Sequence, residues 1–181
     1  MIVFDTTYLI VLLQEDISSV VITDRDGKPV TKIRERVQYL VKKLSDSNSL
    51  ICIPTPVLAE IMVRAGKAAP EYLRLLGNSS KFKLSPFDVK AAIEAAELIQ
   101  KVKDEQKGQS IEKWAKVKFD IQIVAIAKGE EAPVIYAEDA HIENHAKRVG
   151  INVRRICDLE IPPAGADDAQ EKLFEEPTST E

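Results

Sequence analysis

Short unbroken apolar runs alternate along the chain with stretches of helical spacing. Residues 1–4 form the first run and read as a strand buried on both faces. A helix follows, carrying Tyr8, Leu9, Val11, Leu12 and Leu13, with Thr6 or Thr7 as its cap. β-Branched residues on either side of Asp26-Gly27-Lys28 predict an inserted surface hairpin over residues 20–31. Helical spacing returns from Ile33 to Leu44, and a second strand runs from Leu50 to Ile53, stopped by Pro54. Two helices are predicted at Pro56–Arg64 and Pro70–Leu76, the second closed by Gly77-Asn78.

The same pattern predicts a third strand at Phe82–Leu84 and a long helix to Lys103, with Ser85 as N-cap and Asp88 in its first turn. After a polar break over residues 104–110, a helix spans Ile111–Lys128. Val134–Tyr136 is a fourth strand, Asp139–Val149 a helix stopped by Gly150, and Ile151–Ile156 a fifth strand. Strands separated by helices imply a parallel sheet covered on both faces. The predicted fold is therefore a three-layer α/β/α sandwich with a mainly parallel sheet, and order 3-2-1-4-5 suits it. It occupies residues 1–161. Residues 162–181 are acidic, rich in Pro, Ala, Ser and Thr, and read as a disordered tail.

Composition narrows the classes. The chain has 181 residues, 45% of them hydrophobic, which suits one domain with a sizeable core. A net charge of -4 argues against a protein that coats nucleic acid non-specifically, though not against one that cuts it. No apolar run approaches the roughly 20 residues that span a bilayer, and no basic segment precedes the first apolar stretch. Cys52 and Cys157 read as two buried thiols in a reducing cytoplasm.

The candidate chemistry is carboxylate. Asp5 ends the first strand, Glu60 lies in the helix after the second, Asp120 lies in the helix before the fourth, and Asp139 follows the fourth. Ligand sites of open α/β sheets lie at the carboxyl ends of the strands, where Asp5 and Asp139 would meet across the switch in strand order. Gathered carboxylates raise one another's pKa, and a hard cation such as Mg²⁺ or Mn²⁺ relieves the repulsion. Each acid also has an ordinary explanation: Asp5 and Asp139 as helix caps, Glu60 as a solvated acid, Asp120 as a partner for a helix dipole. His141 and His145, four apart, read as surface residues rather than a zinc site. Lysines 101, 103, 107, 113, 116 and 118 form either an RNA path or a solvated helical face, and Arg64 and Lys67 carry the same two readings. Trp114 and Tyr8 read as packing residues. Two other acid-based designs fit less well. A phosphoacceptor receiver would want an acid after the third strand, where Leu84-Ser85-Pro86 stands, and a haloacid-dehalogenase-type phosphatase would want a second acid where Thr7 stands.

Four segments, in order, resemble the PIN domain family. They are Ile2-Val3-Phe4-Asp5-Thr6-Thr7, Ile53-Pro54-Thr55-Pro56-Val57-Leu58-Ala59-Glu60, Lys118-Phe119-Asp120 with the apolar helix after it, and Val134-Ile135-Tyr136-Ala137-Glu138-Asp139. The resemblance covers about residues 1–156. It implies a metal-dependent ribonuclease, similar to toxin–antitoxin toxins, in which Asp5, Glu60, Asp120 and Asp139 hold Mg²⁺ or Mn²⁺ and Thr7 supports Asp5 through its hydroxyl. The pattern departs at Ala137, where the family often has Thr or Ser, and at His141. Glu138 is then either a substitute for Asp139 or a solvent-facing neighbour. Implied partners are an RNA substrate, contacted through Arg64, Lys116 or Lys118, and either an antitoxin or a ribosome-associated protein. Similar domains often form homodimers. The competing reading is a PIN-like domain that binds RNA or protein without cutting.

Overall fold

In the computed structural model the described residues are 1–105 and 111–163, without the side chains of 104, 105 and 111–116. Most of the expected polar break, the side chains of Lys113, Trp114 and Lys116, residue Lys107 and the tail from residue 164 lie outside the described residues.

Five strands form one all-parallel sheet in the order β3-β2-β1-β4-β5, as the pattern of strands and helices predicts. They are β1 (Ile2–Phe4), β2 (Ile51–Pro54), β3 (Phe82–Ser85), β4 (Val134–Tyr136) and β5 (Asn152–Arg154). β1 is central: Val3 registers with Cys52 on one side and with Ile135 on the other. Val3 and Phe4 are fully buried, and each large apolar side chain so placed contributes about 1.5–3 kcal/mol.

The helices are α1 (Thr6–Leu13), α2 (Ile33–Asp46), α3 (Thr55–Ala65), α4 (Ala69–Asn78), α5 (Val89–Glu105), α6 (Ile111–Gly129) and α7 (Ala140–Arg148). α1 is buried almost all round, with Tyr8, Leu9, Val11 and Leu12 fully enclosed. Phe4, Tyr8 and Tyr136 pack ring against ring, with centroids 5.1–5.6 Å apart, beneath the carboxyl ends of β1 and β4.

Local details correct several expectations. The cap of α1 is Asp5, one residue before the threonines. Ser85 is buried as the last residue of β3, and the α5 cap bond comes from Asp88, whose carboxylate accepts from the Ala91 amide at 2.8 Å. Gly77 and Asn78 lie inside α4, and β5 is three residues long, followed by a 3₁₀ turn at Ile156–Asp158. The 20–31 insert has hairpin shape but a single bridge, Thr23 with Pro29. Asp24 makes its turn by accepting from the amides of Asp26 and Lys28, and Gly27 supplies the left-handed residue at φ 81°. Cys52 is buried but Cys157 only half-buried. His145 is buried on the inner face of α7 with Ile142 and Ala146, whereas His141 is exposed. No helix among the described residues is long and apolar enough to cross a membrane.

Candidate active site

Each candidate acid is delivered by a different segment. β1 ends at Phe4, and the chain turns at Asp5 directly into α1, with Asp5 as the helix cap. Pro54 closes β2 and the chain enters α3 at once, with Pro56 in the first turn and Glu60 one turn further on. Asp120 sits well inside α6, too deep to serve the positive end of its dipole, so that ordinary explanation fails. Asp139 caps α7, its carboxylate accepting from the His141 amide at 2.8 Å.

All four acids line one cavity of about 460 Å³ at the carboxyl end of the sheet. Thr6, Thr7, Arg64, Phe119, Ile123 and Ile142 complete its wall. Asp5 and Asp120 are 4% and 5% exposed; Glu60 and Asp139 are partly exposed, which gives the cavity a buried acidic floor and a wetter rim.

Asp5 is held from two sides. One carboxylate oxygen accepts from the Tyr8 amide and the other from the Glu138 amide, both at 3.2 Å. The Thr7 amide also lowers the Asp5 carboxyl slightly, so Thr7 acts on Asp5 through its backbone. Burial nevertheless dominates and lifts the Asp5 carboxyl from 3.8 to about 7, helped by the nearby Glu138 charge. An acid in that condition favours either a proton or a cation.

The hydroxyl that crosses the site belongs to Thr6, which donates to Glu60 at 2.7 Å. Glu60's other oxygen accepts from Arg64 at 2.9 Å, one turn along α3. The sequence does not single out Thr6, because either threonine suits a cap. Glu138 neither replaces Asp139 nor faces solvent. Its side chain turns away from the cavity and accepts from the Ile156 amide at 2.6 Å and from Arg155 Nε at 3.2 Å. Burial pushes its carboxyl up, against the Ile156 amide and Arg155. The buried Ala137 adds no hydroxyl to the rim. Arg64 lies at the cavity wall, Lys118 is exposed on α6, and the side chain of Lys116 lies outside the described residues.

The donor set is all oxygen, with no Cys or His in the cavity wall among the described residues, and that suits a hard divalent cation. Among the described residues no group of three acidic, His or Cys side chains is already drawn together as a metal cage. Like charges repel without an ion between them, and Glu60 is turned toward Thr6 and Arg64.

An acid-floored cavity at the central switch of a five-stranded parallel sheet defines the class of molecule. The PIN domain profile matches residues 29–148, and the chain belongs to that family. The matched span holds Glu60, Asp120 and Asp139 but begins after Asp5. Solved structures that share the fold include the following three. VapBC2 from Rickettsia felis, bound to a promoter DNA fragment, superposes with a TM-score of 0.56 at 16% identity, covering 86% of this chain and 98% of its own. DNA-bound VapBC from Salmonella typhimurium gives 0.54 at 15% identity, with 86% and 98% coverage. VapC20 from Mycobacterium tuberculosis, a Sarcin-Ricin loop cleaving toxin, gives 0.51 at 15% identity, with 80% and 94% coverage. Comparison with curated proteins gives no match.

Proposed function

We propose that this protein is a divalent-metal-dependent endoribonuclease, acting as a toxin or in RNA processing. One observation carries the reading: four carboxylates from distant parts of the chain line one cavity, two of them nearly buried. Such an arrangement stabilises no fold by itself, because each buried charge is costly unless something compensates it.

Asp5, Glu60, Asp120 and Asp139 would hold Mg²⁺ or Mn²⁺, and the bound ion would supply charge neutralisation at the scissile phosphate and a more acidic water. Asp5 is the fixed member, locked by the Tyr8 and Glu138 amides. Glu60 is the adjustable member: it accepts from Thr6 and from Arg64, and would turn from Arg64 to the bound ion. Arg64 at the wall and Lys118 on α6 would meet backbone phosphates, with Lys116 a further candidate on the same helix. Thr7 and Glu138 support Asp5 through their amides.

The fold shared with VapC proteins supports an antitoxin as partner, since two of those structures are toxin–antitoxin complexes. VapC20, the third, is a loop-cleaving toxin, which supports RNA as the substrate. A homodimer in the cytoplasm accords with this reading. One observation favours the alternative, a domain that binds RNA or protein without cutting: Arg64 already pairs with Glu60. That pair is exposed and one helical turn apart, a geometry worth only about 0.3–0.5 kcal/mol, so a divalent ion displaces it readily.

The test is cleavage of a labelled RNA in EDTA and in Mn²⁺, comparing the native chain with Asp5→Ala. The proposal requires Mn²⁺-dependent cuts that Asp5→Ala abolishes. Cleavage equal in the two proteins overturns it.

A further inference from the structure

We propose that Arg155 is a positioning residue for the acidic site, acting through Glu138 on Asp5. The inference rests on the proposed metal-binding role of Asp5. It concerns groups outside the cavity wall.

Asp5 Oδ2 accepts from the Glu138 amide at 3.2 Å. That amide belongs to the short link between β4 and the α7 cap, so its position is set by whatever fixes the link. Ala137 is held to β5, its amide donating to the Arg154 carbonyl at 3.1 Å. Glu138 is held by its own side chain, which points away from the cavity. One oxygen accepts from the Ile156 amide at 2.6 Å. The other is gripped by Arg155 through Nε at 3.2 Å and an NH2 contact at 3.1 Å. The same guanidinium donates to the Thr23 carbonyl of the inserted hairpin at 3.2 Å.

The pair is sheltered: the Glu138 and Arg155 side chains are 12% and 23% exposed. Little water competes with a pairing in such a place, and two guanidinium N–H groups converging on one carboxylate oxygen fix its direction as well as its distance. The insert therefore has a task. Thr23 anchors Arg155, Arg155 orients Glu138, and the Glu138 amide presents a hydrogen bond to the acid that ends β1. Arg25 ties the hairpin to Asp158 at 3.3 Å, on the 3₁₀ turn beside Arg155. The outer support of a metal-binding carboxylate typically matters about ten- to a hundredfold in affinity.

Mn²⁺ affinity, measured by calorimetry on the full chain, is the direct readout, with thermal unfolding recorded in parallel. Arg155→Ala and Glu138→Ala are each expected to weaken binding about tenfold or more. The double variant should bind no more weakly than the worse single one, because the two residues act in series. Arg155→Lys, which keeps the charge but loses the fork, should recover part of the loss. A purely structural role would lower the melting temperature and leave Mn²⁺ affinity in the folded protein unchanged, and that result overturns the inference. Additive losses in the double variant overturn it too. If the native chain itself binds no Mn²⁺, the proposed function fails instead, so the two failures are distinct.

Discussion

The Thr6 hydroxyl donates to Glu60 at 2.7 Å, joining the first turn of α1 to the middle of α3. The bond aims one carboxylate of the cavity by means of the residue next to another. Thr6→Val keeps the shape and removes the donor. Mn²⁺ affinity should fall several-fold or more, with a stability loss of about 1 kcal/mol. Thr6→Ser should bind like the native chain. Calorimetry on the three proteins checks this, and equal affinities for all three would contradict it.

Asp5 makes the site pH-dependent. Its carboxyl sits near 7 in the folded state against 3.8 when free of the fold. Between those values the folded state binds more protons than the unfolded one, so this group's contribution to stability is full below about 3.8. It is lost as pH rises through about 7. The metal-free loss is roughly 4 kcal/mol at most. Comparing urea unfolding of the native chain and Asp5→Asn in EDTA at several pH values isolates it. A bound cation must displace the same proton, so Mn²⁺ affinity should rise about tenfold per pH unit up to about 7 and then level. A flat profile from about pH 5 to 8 would contradict the assignment.

Asp120 is 5% exposed in the middle of α6, and no capping role accounts for it. Asp120→Asn retains the shape and deletes the charge. Mn²⁺-dependent cleavage should fall by about a hundredfold or more, while the melting temperature in EDTA stays level or rises. A large drop in melting temperature with cleavage intact would make Asp120 a structural acid.

Arg64 is half-exposed and pairs with Glu60 across one helical turn. Arg64→Ala should change Mn²⁺ affinity by less than about threefold, because such pairs are weak. RNA binding should weaken, and the slope of log affinity against log salt should shrink by about one. An unchanged salt slope would remove Arg64 from the RNA path.

The arrangement of strands was legible because unbroken apolar runs must be buried on both faces and the intervening helices force parallel pairing. Asp5 and Asp139 stood out by their placement after strand ends, whereas Glu60 and Asp120, both inside helices, stood out through the resemblance of their surroundings to PIN domains. What escaped were the contacts that depend on side-chain direction. Both Thr6 and Thr7 suit a cap by type, yet Asp5 takes the cap and leaves the Thr6 hydroxyl for Glu60. Glu138 looks like a second site acid in sequence, but the chain direction after β4 turns its side chain toward Arg155, a residue 17 positions away. His145 reads as polar surface until Ile142 and Ala146 show that its side of α7 faces inward.

An anomalous difference map from a crystal soaked in Mn²⁺ tests most directly whether the cavity binds a divalent cation through these four carboxylates. The expected result is one or more peaks in the cavity, at about 2.0–2.3 Å from Asp5 and from at least two of Glu60, Asp120 and Asp139. A Mn²⁺ bound elsewhere with this cavity lacking a peak, or a cavity closed by Arg64 on Glu60 at saturating Mn²⁺, would contradict it.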